Sequence, residues 1–153
     1  MNKLWGFIFI LLTLLLNSCG TVVRNIDNPI SYKEFIIQGA ELENAVVSVS
    51  DVYVIGLNIY TKVNAENAEC YVLAVSPTVP TNKNSYAFGM QMMMGGAGLL
   101  IPLTNKTLLS KSLDFQAGDK ISTARGKVVY STMKMGMMSM KNSVPAILVF
   151  DLQ

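Results

Sequence analysis

Apolar and polar positions alternate along most of the chain after residue 31, and this period of two is typical of β-strands with one buried face. The alternation is clearest in 51–63 and returns in 68–76, after the turn-forming residues 64–67. We therefore predict a β-hairpin over 51–76. Gly126 indicates a bulge within another predicted strand. Further strands are predicted over 32–37, 45–49, 108–115, 120–133 and 145–152.

The connections between these strands carry turn signals, as in Ala117-Gly118-Asp119 and in the stretch 135–140. The longest connection, 84–105, has no charged residue but contains four Gly and one Pro. We expect it to form a loop or a short helix on the sheet, with a membrane-dipping loop as the alternative. The last strand, 145–152, is apolar on both faces, which is typical of a central strand. Together these patterns predict an all-β domain, an antiparallel β-sandwich or barrel-like fold with at most one short helix.

The beginning of the chain has a different pattern. Met1-Asn2-Lys3 is short and positively charged, and the apolar run 4–16 follows it, ending in small and polar residues. These are the three parts of a secretory signal. Thirteen helical residues would rise only about 20 Å, which is short of a hydrocarbon core of about 30 Å. We therefore predict that residues 1–18 are a cleaved signal peptide rather than a membrane span.

Leu16-Asn17-Ser18-Cys19 resembles the lipobox of bacterial lipoproteins, in which an aliphatic residue lies three positions before an obligatory Cys and a small residue lies just before it. The resemblance implies cleavage before Cys19, a diacylglyceryl group on its thiol, and a fatty acid such as palmitate on the new amino group. Two or more acyl chains give stable membrane anchoring, whereas one gives only marginal binding. Gly20 follows the Cys, where an Asp would resemble an inner-membrane retention signal, so the resemblance implies the outer membrane.

The predicted organisation has three parts. Residues 1–18 are the lipoprotein signal peptide, residues 19–31 are the lipidated N-terminus and a polar tether, and residues 32–153 are a single β-sandwich domain. Pairing of the tether as an edge strand is the alternative. Removal of 18 of the 153 residues leaves 135, which is enough for one domain with a real core.

Charge and residue usage exclude several functions. The 12 Lys and Arg and 10 Asp and Glu are scattered and give a net charge of +2, so the chain lacks the basic stripe of a nucleic-acid-binding protein. It contains no His, which excludes Ser/His/Asp and Cys/His catalysis and His-ligated metals. The carboxylate pairs Glu41/Glu43 and Glu66/Glu69 fall in polar turns, where solvated surface charge is expected. We therefore predict no enzymatic activity and no cofactor.

The sulfur-containing residues are the one unusual chemical feature. Thioethers are soft ligands suited to Cu(I) and Ag(I), although Met also fills irregular gaps in a core or forms adaptable contact surfaces. Cys70 lies in a predicted strand, where a buried apolar role is expected, with an intermolecular disulfide as the alternative. The methionines of interest form two clusters, namely Met90, Met92, Met93 and Met94, and Met133, Met135, Met137, Met138 and Met140.

These observations predict a lipid-anchored envelope protein that faces the periplasm at the outer membrane. We expect a non-enzymatic structural or partner-binding module, with the membrane held through lipid on Cys19 and a protein partner in the envelope. The sequence identifies neither that partner nor any small-molecule ligand. The alternative is a Cu(I)- or Ag(I)-binding periplasmic lipoprotein that uses the Met clusters.

Overall fold

The structure is a computed structural model, and it describes residues 24–55, 63–80, 98–130, 132–135, 138–141 and 145–153. The strands at 63–65, 132–135 and 138–141 are described by their backbone. The signal segment with Leu16-Asn17-Ser18-Cys19, the methionines Met90, Met92, Met93 and Met94, and Met137 lie outside the described residues.

The described part of the chain is mostly β, as predicted, with two short helices. The strands are β1 (Ile30–Ser31), β2 (Val46–Ser50), β3 (Val52–Val54), β4 (Val63–Ala65), β5 (Ala68–Ser76), β6 (Gly98–Pro102), β7 (Lys120–Ile121), β8 (Ala124–Val129), β9 (Thr132–Met135), β10 (Met138–Lys141) and β11 (Ala146–Leu152). The helices are α1 (Tyr32–Gln38) and α2 (Lys106–Asp114).

Nine of these strands form one continuous path in the order β1-β2-β8-β11-β6-β5-β4-β9-β10. The pairs β1–β2 and β11–β6 are parallel, and the other neighbours on the path are antiparallel. β3 pairs with β5 and with β7 away from this path. The sheet is therefore mixed rather than wholly antiparallel, and among the described strands the two ends of the path, β1 and β10, are not paired with each other.

One face of the sheet carries the main hydrophobic core and both helices. Its strand positions include Val47, Leu73, Leu99 and Ile147, and Phe35 of α1 joins the same cluster. Leu108 of α2 also belongs to it. The opposite face has a smaller apolar cluster across β5, β6, β8 and β11, formed by Cys70, Val72, Ala74, Leu100, Val129, Ala146 and Leu148. Both faces of the central strands are therefore apolar, which explains why the last strand reads as apolar on both sides.

Helix α1 replaces a predicted strand over 32–37, so that prediction is wrong. Ser31 begins the helix: its hydroxyl accepts a hydrogen bond from the Glu34 N–H at 3.2 Å, and the Glu34 carboxylate accepts one from the Ser31 N–H at 2.9 Å. This reciprocal capping box satisfies two backbone donors at the start of the helix. Tyr32 and Phe35 lie three residues apart on its buried side, with ring centroids 5.7 Å apart. Local capping therefore outweighs the apparent alternation.

Helix α2 likewise lies where a strand was predicted over 108–115. Asn105 caps it, because the side-chain oxygen of Asn105 accepts a hydrogen bond from the Leu108 N–H at 3.0 Å. Leu108 and Ser112, four residues apart, form its buried side. The Lys111 ammonium donates to the Leu152 carbonyl at 2.6 Å and ties the helix to β11. With two helices present, the prediction of at most one short helix is wrong.

Several predicted strands are confirmed. β2 and β5 match the predictions at 45–49 and 68–76 within a residue or two. Glu66 and Asn67 form the turn between β4 and β5, and both have positive φ angles, as a type I′ hairpin turn requires. β11 lies between β8 and β6, so its predicted central position is also confirmed.

Other predicted elements have different boundaries. The strand expected over 120–133 is divided into β7, β8 and the start of β9. Part of the expected loop 84–105 is strand β6, and part of the expected turn region 135–140 is strand β10. For β6, β7 and β8, pairing with strands distant in sequence supplies the backbone hydrogen bonds that the local pattern did not reveal, whereas β10 pairs with the preceding strand β9.

The bulge near Gly126 lies on the opposite strand. Val149 of β11 pairs with Gly126 and Asp151 pairs with Arg125, so Phe150 is the extra residue. A Cβ atom at Gly126 would overlap the Leu148 carbonyl oxygen. Glycine is therefore required here because the two backbones approach closely, while the bend belongs to β11.

Candidate functional site

The described chain begins at Arg24, five residues after Cys19. The Arg24 carbonyl accepts a hydrogen bond from the Val46 N–H at 2.9 Å, and the Ile26 N–H donates to the Val46 carbonyl at 2.9 Å. Asn25 forms a parallel bridge with Val46. The chain is thus fixed to the first residue of β2 almost as soon as the described part begins.

The following residues run along the same edge of the sheet. Ile30 pairs with Val49 and Ser31 with Ser50 in parallel register, so residues 25–31 follow β2 from its beginning to its end. This part of the predicted tether is paired with the sheet, as its edge-strand alternative required. Only residues 20–23 separate Cys19 from the residues held on β2.

Helix α1 then returns to the end of the sheet at which Arg24 lies. A Cβ atom on Gly39, the residue after α1, would overlap the Pro145 side chain, and Pro145 directly precedes β11. The Asn44 N–H donates to the Val128 carbonyl at 3.0 Å, at the end of β8. We call the surface formed by Arg24, the C-terminal turn of α1 and the loop 39–44 the tether end.

Two adjacent apolar side chains are exposed at the tether end. Ile37 is 74% exposed and Ile36 is 39% exposed, whereas Phe35, one residue earlier, is fully buried. Glu41 and Glu43 are exposed in the loop that follows, and Arg24 is exposed beside the start of β2. The tether end therefore carries the two exposed apolar side chains of Ile36 and Ile37 together with charges of both signs. The signal Ser31-x-x-Glu34 in the sequence would have revealed the helix and hence this surface.

The second methionine cluster forms a hairpin. Met133 pairs with Met140 and Met135 pairs with Met138 across β9 and β10. Residues opposite one another in an antiparallel pair share a face, as do residues two apart in one strand. The backbone therefore places four methionine positions on one face of the β9–β10 hairpin.

Cys70 belongs to the same face of the sheet as these methionines. It pairs with Val63, and Val63 pairs with Met133, which pairs in turn with Met140. Cys70 is fully buried and is a free thiol; its Sγ contacts the Ala68 carbonyl oxygen at 3.7 Å. Burial raises its pKa to about 11. The expected buried role is confirmed, but the alignment with the methionines was hidden because 63 residues separate Cys70 from Met133.

The acidic residues are distributed as surface charges. Glu41, Glu43, Glu66 and Glu69 are all exposed, and the Glu66 carboxylate accepts a hydrogen bond from the Lys127 ammonium. Among the residues that the structure describes, no three thiol or carboxylate groups lie close enough together to hold a metal ion. No described helix is both long enough and apolar enough to cross a membrane.

A buried hydroxyl on Tyr32 was not anticipated from the sequence. Tyr32, the first residue of α1, is fully buried on the inner side of that helix, and its phenol oxygen has no hydrogen-bond partner in the described part of the chain. Burial raises its pKa above the ordinary value. The hydroxyl lies in the core rather than at the surface described above, so it bears on stability.

We compared the chain with models of protein families, with curated proteins and with solved structures, and none of the three comparisons gave a match.

Proposed function

We propose that this protein is a lipid-anchored component of the cell envelope, held at the outer membrane on the periplasmic side, and that it acts as a non-enzymatic structural or partner-binding module. The observation that carries this proposal is Leu16-Asn17-Ser18-Cys19 directly behind an apolar run too short to span a bilayer. Acyl chains on Cys19 would provide the anchor. The mostly β domain that begins a few residues later would be the part that meets the partner.

We further propose that this domain has a barrel-like form. Only Asp51 separates β2 from β3, so the two strands read as one strand with a bend. β2 pairs with β8 at one end of this bent strand, and β3 pairs with β5 at the other. The neighbours β8, β11, β6 and β5 would then complete a ring around the main core.

The hairpin β9–β10 is the best candidate for the partner-binding edge. β10 pairs with β9 on one side and ends the path of described strands. An unpaired strand edge can accept an added strand from another protein, with backbone hydrogen bonds giving affinity and side chains giving specificity. Four methionine positions on one face of this hairpin would add an adaptable apolar surface.

Lipid attachment is tested by metabolic labelling with a fatty-acid analogue. Cys19→Ala is expected to abolish labelling and to release the domain from the membrane fraction. Cys70→Ala is the matched control, because it removes the other cysteine and should leave labelling unchanged. Labelling that persists in Cys19→Ala, or anchoring through an uncleaved segment 4–16, would overturn the proposal.

Partner binding is tested with a photo-crosslinking amino acid placed either at Ser139, in the middle of β10, or at Ser122. Ser122 is exposed and lies two residues before the start of β8. In intact cells, we expect Ser139 to give a discrete adduct with another envelope protein and Ser122 to give none. A correctly lipidated protein that stays monomeric and forms no adduct along β10 would contradict the partner-binding function.

Cu(I) or Ag(I) binding is the second candidate, and the pairing of the methionines favours it. Four thioether positions share the face that also carries Cys70 two strands away. Titration of the purified protein with Cu(I) against a competing chelator tests it. We expect replacement of the four β9–β10 methionines by Leu to remove uptake, whereas the same change at Met90, Met92, Met93 and Met94 should leave uptake in place. No uptake beyond that of the Leu variant would exclude this function.

A further inference from the structure

We propose that the tether end of the domain rests on the bilayer that holds its lipid, with Ile36 and Ile37 in contact with the headgroup region. This inference rests on the proposed lipidation of Cys19 and adds an orientation to it. The membrane itself then covers the exposed side chains of Ile36 and Ile37.

The first argument is the short reach between lipid and domain. Arg24 is held by Val46, so at most five residue steps connect Cys19 with the fixed chain. A chain spans at most about 3.6 Å per residue, or roughly 18 Å over five steps. A diacylglyceryl group places Cys19 in the headgroup layer, which is roughly 5–8 Å thick on each side of the bilayer. Arg24 therefore stays within roughly one strand length of the membrane surface.

The second argument is which surface this restraint brings close. α1 ends at the same end of the sheet as Arg24, because Gly39 lies against Pro145 and Asn44 donates a hydrogen bond to Val128. Its last turn exposes Ile36 and Ile37. The opposite end of the sheet, where Thr123 and Gln153 exchange two backbone hydrogen bonds, lies a full length of β8 away. At about 3.3 Å per residue, that is roughly 20 Å.

The third argument concerns the chemistry of the contact. The charged residues of the tether end are Arg24, Glu41 and Glu43, all exposed, so this surface carries no net positive charge. Attraction to anionic lipids is then weak, and the apolar side chains provide the affinity. An amphipathic surface of this kind buries its apolar side chains at the boundary between headgroups and acyl chains. The contact should accordingly persist in neutral phosphatidylcholine vesicles and at high salt.

The test uses the full lipidated protein in phosphatidylcholine vesicles, with Cys70→Ala to leave a single reactive thiol. A fluorophore is attached at Gln38→Cys, beside the isoleucines, or at Ser122→Cys, at the opposite end. Lipids that carry a nitroxide in the headgroup serve as quencher. We expect at least threefold stronger quenching at residue 38 than at residue 122, and mass spectrometry reports lipid on Cys19 in the same sample.

Two further variants separate the apolar contact from the short tether. Ten Gly and Ser residues inserted after Gly20 should leave most of the quenching at residue 38, because the isoleucines still hold the surface to the membrane. Adding Ile36→Gln and Ile37→Gln to this long-tether protein should remove the quenching, whereas Phe150→Gln, which changes an exposed apolar residue in the half of β11 away from the tether end, should not.

The outcomes are distinct for the two proposals. Equal quenching at residues 38 and 122 in a protein with lipid on Cys19 overturns the orientation and leaves the anchor intact. Loss of quenching on tether lengthening alone also overturns the apolar contact. Absence of lipid on Cys19 overturns the anchor and the orientation together.

Discussion

The Lys127 ammonium donates a hydrogen bond to the Glu66 carboxylate, with a nitrogen–oxygen distance of 2.5 Å, although β11 and β6 lie between β8 and the β4–β5 hairpin. Flat strands spaced about 4.8 Å apart would keep these two elements too far from each other for side chains to meet. The contact therefore requires the sheet to curl so that the β4–β5 turn approaches β8. It also explains why the Lys127 side chain is only 22% exposed.

This ion pair should make a small, measurable contribution to the free energy of unfolding. A double-mutant cycle with Glu66→Gln and Lys127→Met is expected to give a coupling of about 0.5–1 kcal/mol in urea unfolding, because the pair is partly exposed. The Lys120–Asp51 pair, at 2.9 Å and with both side chains more than half exposed, is the control and should couple more weakly. Equal coupling in the two cycles would contradict the argument from burial.

The buried Tyr32 hydroxyl predicts an unusual substitution. Because its oxygen has no partner in the described part of the chain, Tyr32→Phe removes an unsatisfied polar group and should leave stability unchanged or raise it by about 1 kcal/mol. Tyr32→Ala should cost about 3–5 kcal/mol, because it also leaves a cavity beside Phe35. Urea unfolding measures both. A loss of more than 1 kcal/mol in Tyr32→Phe would reveal a partner for the hydroxyl.

The capping box predicts a pH dependence of helix α1. The backbone N–H and then the hydroxyl of Ser31 donate to the Glu34 carboxylate, and these hydrogen bonds hold the pKa of Glu34 below its ordinary value. A pKa lowered by folding stabilises the fold above the unfolded pKa, and this stabilisation is lost as pH falls through the folded pKa. Ser31→Ala should cost about 1 kcal/mol and move the pKa of Glu34 back toward its ordinary value in an NMR titration. An unchanged Glu34 titration in Ser31→Ala would contradict the capping box.

Two of the described glycines, Gly126 and Gly118, predict different costs for alanine. At Gly126 a Cβ atom would overlap the backbone of β11, so Gly126→Ala should cost at least about 2–3 kcal/mol. Gly118 has a φ angle of 91° but open space around it, so Gly118→Ala should cost only about 1 kcal/mol of backbone strain. Thermal unfolding of the two variants gives the order. A smaller loss at Gly126 would mean that β8 and β11 can separate without cost.

Burial of Cys70 predicts slow reaction with thiol reagents. Folding raises its pKa to about 11, so the thiol is protonated at pH 8 and also inaccessible. We expect reaction with a disulfide reagent to be at least a hundredfold slower in the native protein than in urea. Because the folded pKa is raised, the associated stability is complete below the unfolded pKa of about 8.5 and declines from there toward pH 11. Cys70→Ala should remove this alkaline decline, and a fast native reaction would contradict the buried position.

The prediction of an export segment, the mostly β composition and strands such as β2, β5 and β11 follow from local sequence, because a period of two and a run of apolar residues are properties of neighbouring residues. The two helices were missed where caps at Ser31 and Asn105 outweighed an alternating pattern. A capping box can be read from sequence. Whether the capped segment forms a helix or a strand depends, however, on which strands elsewhere in the chain are available to pair with it.

By itself, the sequence determined how this chain is predicted to reach a membrane, through Cys19 behind its short apolar run, and which segments can be strands. Only the tertiary structure decided that residues 25–31 lie on β2, that α1 returns to the end of the sheet where Arg24 is held, and that Cys70 shares a face with the β9–β10 methionines. The reason is that strand order and register are set by long-range hydrogen bonds and core packing. These interactions join residues that are far apart along the chain, so the local sequence around either residue does not reveal the pairing.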